Sequence, residues 1–90
     1  SPFPFIVRDI ALWVPEQTKP EEIKNIIKEN SGELLTHLSL FDEFKKEGRT
    51  SFAFRLVFQS MELTLTDNEI NDIMNKISSE LRKNPDFQIR

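Results

Sequence analysis

The chain has 90 residues, of which 38% are hydrophobic and 30% charged, and its formal net charge is −3. This length supports one small domain and excludes a second independent core. The negative charge argues against a dedicated, free-standing nucleic-acid binder, because such domains usually carry an excess of Lys and Arg on one face. The absence of cysteine excludes disulfides and thiolate metal sites and fits a cytosolic chain. No apolar run of membrane-spanning length and no signal peptide is visible.

The first predicted element is a strand over residues 7–14, where the side chains alternate with a period of two. It ends at Pro15, which cannot donate a hydrogen bond to a central ladder. One side of this strand carries Arg8, Ile10, Leu12 and Val14, and the other carries Asp9, Ala11 and Trp13. The strand is therefore predicted to have one packed face and one face of different chemistry.

A first helix is predicted to follow, through about residue 30. Its apolar side is formed by Ile23, Ile26 and Ile27. Thr18 and Glu21 have capping-box spacing, and Pro20 would lie in the first turn, where its missing N–H has no cost. Gly32 suits a left-handed position after the last turn. These signals predict a helix that begins at Thr18 and ends before Gly32.

A second strand is predicted from about Leu34 to Phe44 and a third over residues 51–58, joined as a hairpin by a polar loop over residues 45–50. The third strand places its large apolar residues on one side, namely Phe52, Phe54, Leu56 and Phe58. Its other side carries Ser51, Ala53, Arg55 and Val57. Together with Trp13, that side offers small residues, an arginine and an indole. Such a surface is suited to flat, charged partners such as nucleotide bases.

Thr66 and Glu69 form a second capping box, and Asp67 is favourable to the dipole of the helix that follows. The apolar stripe of this helix consists of Ile70, Ile73, Met74, Ile77 and Leu81. The helix is expected to end at Asn84-Pro85, and residues 86–90 are predicted to add a short last strand. The order βαββαβ predicts an α+β ferredoxin-like sandwich, a four-stranded antiparallel sheet with two helices on one face.

The residues needed for catalysis are not grouped in this sequence. His37 is the sole histidine, so no metal site or acid–base pair is expected around it. Asp42 and Glu43 are adjacent in a strand and point to opposite faces. The two glycines are sixteen residues apart, at positions 32 and 48, which excludes a glycine-rich phosphate loop. The chain is predicted to be non-catalytic by itself.

Five segments carry a recognisable pattern: Arg8-Asp9-Ile10-Ala11-Leu12, Gly32-Glu33-Leu34-Leu35, Leu40-Phe41-Asp42-Glu43-Phe44, Ser51-Phe52-Ala53-Phe54-Arg55-Leu56 and Leu63-Thr64-Leu65-Thr66-Asp67. In order and spacing they resemble the C-terminal ferredoxin-fold anticodon-binding domain of phenylalanyl-tRNA synthetases. The resemblance covers essentially the whole chain. It implies that residues 1–90, which start without methionine, are one domain excised from a longer synthetase chain. Residues 11–15 and 60–65 look like the single-chain mitochondrial form, but we favour the beta subunit of the bacterial form.

The resemblance also implies which residues contact the anticodon. Within the family these are an acidic residue and an aromatic residue at the end of the second strand, a serine opening the third strand and an arginine at the end of the last. The matching positions hold Asp42, Phe44, Ser51 and Arg90. Phe44 lacks the hydroxyl of the tyrosine that is frequent there, but stacking on a base should survive. Four further cations are candidates for RNA-backbone contacts, Lys45, Lys46, Arg49 and Arg55.

Strand alternation supports part of this assignment independently. It places Ser51 and Arg90 on the face opposite the core. Strict alternation would direct Asp42 and Phe44 toward the core, so we predict a β-bulge near residues 40–42 that turns them to the open side. Trp13 is expected on the same side, either stacking on a base or packing against Arg55 or against another domain.

The partners implied by the resemblance are the tRNA-Phe anticodon stem-loop and the remaining synthetase domains or alpha subunit, with no membrane and no DNA. No cofactor is expected in this domain, because ATP and Mg belong to the parent's catalytic site. The parent would be a phenylalanine–tRNA ligase of the cytoplasm, or of mitochondria if it is of that type.

Three other functions share this order of elements. A small-molecule sensor of the ACT kind usually has glycines at helix starts, where Gly32 and Gly48 do not lie, and calorimetry with free amino acids would detect it. A protein-docking module would use the Trp13 face, and gel filtration with the parent complex would favour it. An acylphosphatase-like enzyme would need a glycine-rich anion loop that this sequence lacks.

Overall fold

The computed structural model describes residues 3–90, so the predicted domain start at Ser1 and Pro2 lies outside the described residues. Within this range the elements are β1 (Ile6–Pro15), α1 (Pro20–Ser31), a 3-10 turn (Gly32–Leu34), β2 (Leu35–Lys46), β3 (Arg49–Phe58), α2 (Asp67–Arg82) and β4 (Gln88–Ile89). The strands pair antiparallel in the order β2-β3-β1-β4. The predicted ferredoxin-like βαββαβ arrangement is confirmed.

The core lies between one face of this sheet and the two helices. The buried apolar side chains that β1 and β3 send to that face are Ile10, Leu12, Val14, Phe52, Phe54, Leu56 and Phe58. The helices contribute Ile23, Ile27, Ile70, Ile77 and Leu81, all fully buried. Within residues 3–90 no helix packs on the other face of the sheet, which we call the open face. Residues 3–90 therefore contain one continuous core, between the sheet and the two helices.

The two predicted capping boxes have different outcomes. Thr66 is the N-cap of α2, and its hydroxyl accepts a hydrogen bond from the backbone N–H of Glu69 at 3.3 Å. The cap predicted at Thr18 is wrong, because the N-cap of α1 is Lys19 and makes no side-chain cap hydrogen bond. Pro20 is the first helical residue, and a proline drives the residue before it into extended backbone, as Lys19 shows with φ −95° and ψ 147°.

The connection between β2 and β3 is tighter than predicted. The strands extend to Lys46 and from Arg49, which leaves a two-residue turn in place of the polar loop over residues 45–50. Glu47 and Gly48 both have positive φ, 53° and 76°. This combination is typical of the type I′ hairpin turn, whose twist matches that of the flanking strands. The turn fixes the register in which β2 and β3 pair.

A β-bulge interrupts β2, as predicted. Pairing with β3 shifts between Leu40 and Asp42, so Phe41 is the extra residue. A shift of one residue moves every later side chain to the other face. Phe44 is therefore paired with Ser51 on the open face instead of pointing at the helices. A second irregularity, between Leu35 and His37, was not predicted.

Thr50 is a polar residue buried in the apolar core. It is 1% exposed, and its hydroxyl has no hydrogen-bond partner in the described part of the chain. An unpartnered buried hydroxyl costs about 1–3 kcal/mol, and valine has a similar shape without that group. We expect Thr50→Val to raise the free energy of unfolding by about 1 kcal/mol, measured by urea denaturation.

The matched control is Thr36→Val on the neighbouring strand, where the hydroxyl is exposed and donates to the Val57 carbonyl oxygen at 3.2 Å. This second change should bring no gain in stability. An equal gain in both variants would show that β-propensity, rather than relief of the buried hydroxyl, is responsible.

Candidate nucleic-acid interface

Three neighbouring strands place their side chains together at one end of the open face. Ser51 of β3 is directly opposite Trp13 of β1 on one side and Phe44 of β2 on the other. Opposed residues of paired strands share a face, so all three side chains lie on the open face. The Trp13 and Phe44 rings meet with their centroids 5.3 Å apart and their planes at 87°. The two rings thus meet edge to face above Ser51.

Arg90 joins these residues from the other edge of the sheet. Its backbone N–H donates to the Ala11 carbonyl oxygen at 2.8 Å, and its guanidinium donates from Nη1 to Ser51 Oγ at 2.9 Å. The guanidinium carbon is 5.4 Å from the Phe44 ring centroid and 5.8 Å from that of Trp13. Ser51 is 1% exposed, so it is covered by Arg90 and the two rings and not by the helices. We call Trp13, Phe44, Ser51 and Arg90 the aromatic corner.

Two more cations border the aromatic corner. The guanidinium carbon of Arg49 is 5.6 Å from the Trp13 ring centroid, and Arg49 Nη1 donates to Gln88 Oε1 at 3.2 Å. Lys46 pairs with Arg49, and both line a shallow depression with Trp13. Lys45 is opposite the buried Thr50 and therefore lies on the other face of the sheet. Lys45 is thus not brought to the corner.

Asp42 lies one open-face position further along β2 from Phe44. It pairs with Ala53 and is exposed to solvent. The bulge at Phe41 is the reason that Asp42 reaches this face. Its neighbour Glu43 pairs with Phe52 and lies on the opposite side, as predicted for adjacent strand residues. All four residues assigned from the sequence thus lie on one face of the sheet.

Arg55 is the centre of a second cluster, in the middle of the open face. It donates to both carboxylate oxygens of Asp9, from Nε at 2.9 Å and from Nη2 at 3.0 Å. Its guanidinium carbon is 4.5 Å from the centroid of the exposed Phe41 ring. The prediction that Trp13 packs against Arg55 is wrong, because the indole contacts Phe44 and two other arginines, Arg49 and Arg90.

The Asp9–Arg55 pair makes stability depend on pH. The hydrogen bond from Arg55, reinforced by its charge and opposed by partial burial, lowers the pKa of the Asp9 carboxyl below its ordinary value. A carboxylate with a lower pKa in the folded state stabilises the fold above its unfolded pKa, and this contribution is lost as the pH falls through the folded pKa. We expect Asp9→Asn to be less stable than the parent near neutral pH, with a difference that shrinks below about pH 4.

Urea unfolding of both proteins from pH 7 to pH 2 measures this difference. In an Arg55→Met background the pH-dependent part of the effect should disappear, since the hydrogen-bond donor is gone. A difference between the parent and the Asp9→Asn variant that stays constant with pH would contradict the assignment.

The sequence reasoning missed one participant in this surface, Gln88, whose side chain accepts a hydrogen bond from Arg49. Trp13 was expected on this face and is part of the aromatic corner itself. Alternation placed Trp13 on the correct face, but its neighbours depend on the register between strands.

Among residues 3–90, no cluster of three or more His, Asp or Glu side chains is arranged to hold a metal ion. No helix in that range is both long and apolar enough to cross a membrane.

The fold and this surface define a ferredoxin-like α+β domain with an open sheet face that is aromatic and cationic at one end. The family model described as ferredoxin-fold anticodon binding domain matches residues 1–90. The chain belongs to this family. The family assignment does not favour the ACT-like and acylphosphatase-like alternatives.

Individual relatives are of two kinds. The chain is 40% identical over 85 residues to a phenylalanine–tRNA ligase beta subunit of Synechococcus sp. (strain JA-2-3B'a(2-13)), covering 90% of the chain and 10% of that protein. It is 34% identical over 92 residues to the chloroplastic/mitochondrial phenylalanine–tRNA ligase of Arabidopsis thaliana, covering 100% of the chain and 21% of that protein. A probable mitochondrial phenylalanine–tRNA ligase of Drosophila melanogaster is 32% identical over 98 residues, which cover 100% of the chain and 22% of that protein. The chain thus spans a small part of each relative.

Proposed function

We propose that this chain binds the anticodon of tRNA-Phe as one domain of a phenylalanine–tRNA ligase. The observation that carries the proposal is the gathering of Asp42, Phe44, Ser51 and Arg90 on one face of the sheet, with Phe44, Ser51 and Arg90 in direct proximity. The family description and the names of the relatives support it. Bacterial and organellar relatives match almost equally well, so a bacterial parent stays a prediction.

The chemistry of the aromatic corner suits unpaired bases. Anticodon bases are unstacked and present their edges, unlike bases inside an A-form helix. Phe44 would stack on one base, while Asp42 and Ser51 would take its hydrogen-bonding edge. Arg90 would pair with a phosphate or stack on a neighbouring base. Lys46 and Arg49, at the border of the aromatic corner, would meet the RNA backbone, whereas Arg55 is already held by Asp9.

Binding by the domain alone should be weak. The net charge is −3, so attraction to phosphates is limited to the local patch around the aromatic corner. In a ligase the other domains or the alpha subunit would hold the same tRNA, which raises the local anticodon concentration at this face. Weak contacts then still discriminate between tRNAs. Activation and transfer of phenylalanine, with ATP and Mg, would take place in the parent's catalytic domain, in the cytoplasm or in an organelle.

Chemical-shift mapping tests the proposal directly. An RNA hairpin with the tRNA-Phe anticodon loop is titrated onto the 15N-labelled chain, alongside the same hairpin with a replaced anticodon. We expect the largest changes at residues of the aromatic corner and at Asp42, and smaller changes with the replaced anticodon. Changes confined to α1 and α2, or none at all, would rule out this face as the anticodon site. Calorimetric binding of a free amino acid would instead favour the sensor function.

A further inference from the structure

Ser51, a predicted base contact, is closed off from solvent. It is 1% exposed, and its hydroxyl already accepts a hydrogen bond from Arg90 at 2.9 Å. The same guanidinium lies over the rings of Phe44 and Trp13. A base edge therefore cannot reach Ser51 while Arg90 keeps this position. The space in which the base would lie is filled by a side chain of the chain itself.

A guanidinium can occupy the site of a nucleobase because both groups are flat and have polar atoms along their edges. Both are planar, both stack on aromatic rings, and both present N–H donors in the plane. We propose that Arg90 is a displaceable plug of the aromatic corner, and that an entering base takes its place against both Phe44 and Trp13. This inference rests on the proposed function and adds Trp13 to the binding residues.

The contacts of Arg90 allow such a displacement. Its backbone is held on the sheet by the hydrogen bond to Ala11, whereas its side chain is long and is held by Ser51 and the two ring faces. Rotation of the side chain alone opens the corner while the strand pairing stays intact. A guanidinium released in this way stays near the RNA and can form a charge-assisted hydrogen bond with a phosphate.

Trp13 is held in position by the sheet and can contact an entering base without moving. It lies on β1, between β3 and β4, and pairs with Ser51 on one side and Gln88 on the other. Arg49, which also lies over the indole, is held by Gln88 and is not the group that covers Ser51. The opening step is therefore assigned to Arg90. Because the planes of Trp13 and Phe44 lie at 87° to each other, the entering base would stack on one ring and meet the other with its edge.

The chain itself supplies the reporter for the test. Trp13 is the single tryptophan and the chain has no tyrosine, so the intrinsic emission reports on this corner alone. Arg90→Ala should increase quenching of Trp13 by acrylamide in the free chain. The matched control Arg82→Ala removes the same charge from the end of α2 and should leave quenching unchanged. Unchanged quenching in Arg90→Ala would overturn the plug.

The second arm uses a fluorescein-labelled RNA hairpin with the tRNA-Phe anticodon loop, whose binding is followed independently by anisotropy. Saturating RNA should quench Trp13 emission and move the NMR signals of the Arg90 side chain away from their ring-shifted positions. Trp13→Leu should weaken binding by between about fivefold and about a hundredfold, whereas Trp13→Phe, which keeps a ring, should retain most of the affinity.

The outcomes separate the two proposals. RNA that binds by anisotropy without changing Trp13 emission or the Arg90 signals would overturn the plug and leave the anticodon function intact. Absence of hairpin binding, at concentrations high enough to detect the weak binding expected of the isolated chain, would overturn the proposed function, and the plug with it. Quenching of Trp13 and release of Arg90 on binding would support both, and neither observation requires the Trp13→Leu variant to fold.

Discussion

Replacement of Phe54 by alanine should remove a large part of the stability of this domain. Phe54 is fully buried on the central strand β3, with its ring centroid 5.9 Å from that of Phe52. Truncating a buried phenylalanine costs about 3–5 kcal/mol, because apolar contacts are lost and a cavity stays behind. Domains have total stabilities of about 5–15 kcal/mol, and small ones lie toward the low end. Urea unfolding followed by circular dichroism measures the loss.

The control for Phe54→Ala lies on the same strand but on the other face. Val57 is half-buried on the open face, where no helix within residues 3–90 covers it. Val57→Ala should cost about 1 kcal/mol or less, mainly through β-propensity. Equal losses in the two variants would mean that both faces of β3 contribute equally to the core. The one-sided sheet, on which the assignment of the RNA face depends, would then be wrong.

The faces of the strands could be predicted from the sequence because alternation is a local property of the backbone. Each residue of β1 and β3 has the side that a period of two assigns to it, including Trp13 and Arg55. The bulge was also predictable, since the adjacent pair Leu40-Phe41 breaks the alternation where Asp42 and Phe44 need to change sides. Local pattern was therefore sufficient to identify the open face, whereas the four assigned residues came from the family resemblance and were located on that face by alternation and the bulge.

The contacts between strands could not be predicted in the same way. Trp13 meets Phe44 across Ser51 because the register of β2 on β3 is set jointly by the bulge and by the turn at residues 47–48. That turn requires positive φ at Glu47, which glutamate does not signal in a sequence. An error of one residue there would have separated the two rings. Alternation alone thus gives the correct face for Trp13 but not its neighbours.

The two capping boxes show how a neighbouring residue decides the outcome of a motif. Thr66 caps α2 because the backbone after it is free to begin the helix there. Thr18 has the same spacing to an acidic residue, but Pro20 fixes the helix start one residue later. The backbone N–H of Thr18 instead donates to the Pro15 carbonyl oxygen at 3.0 Å, within the turn that precedes the helix. The rigid φ of proline overrides the side-chain cap.

Phe44→Ala should separate tRNA use from amino-acid activation in a ligase that carries this chain. A stacked base contributes about 1–3 kcal/mol, so kcat/KM for tRNA-Phe in aminoacylation should fall by roughly fivefold to a hundredfold. ATP–pyrophosphate exchange with phenylalanine should be unchanged, because activation precedes any contact with the anticodon. Both rates are measured on the same enzyme preparation, with thermal unfolding as a check on folding.

Phe41→Ala is the matched control for Phe44→Ala. Phe41 is an exposed phenylalanine of the same strand, 48% exposed against 38% for Phe44, but its ring lies against Arg55 and not in the aromatic corner. Phe41→Ala should change kcat/KM for tRNA-Phe in aminoacylation little. A comparable loss of kcat/KM for tRNA-Phe in both variants would assign the effect to the strand as a whole. A parallel fall in pyrophosphate exchange would show that the substitution also affects the catalytic domain. Loss confined to Phe44 and to the tRNA-dependent step would identify its ring as the base-stacking surface.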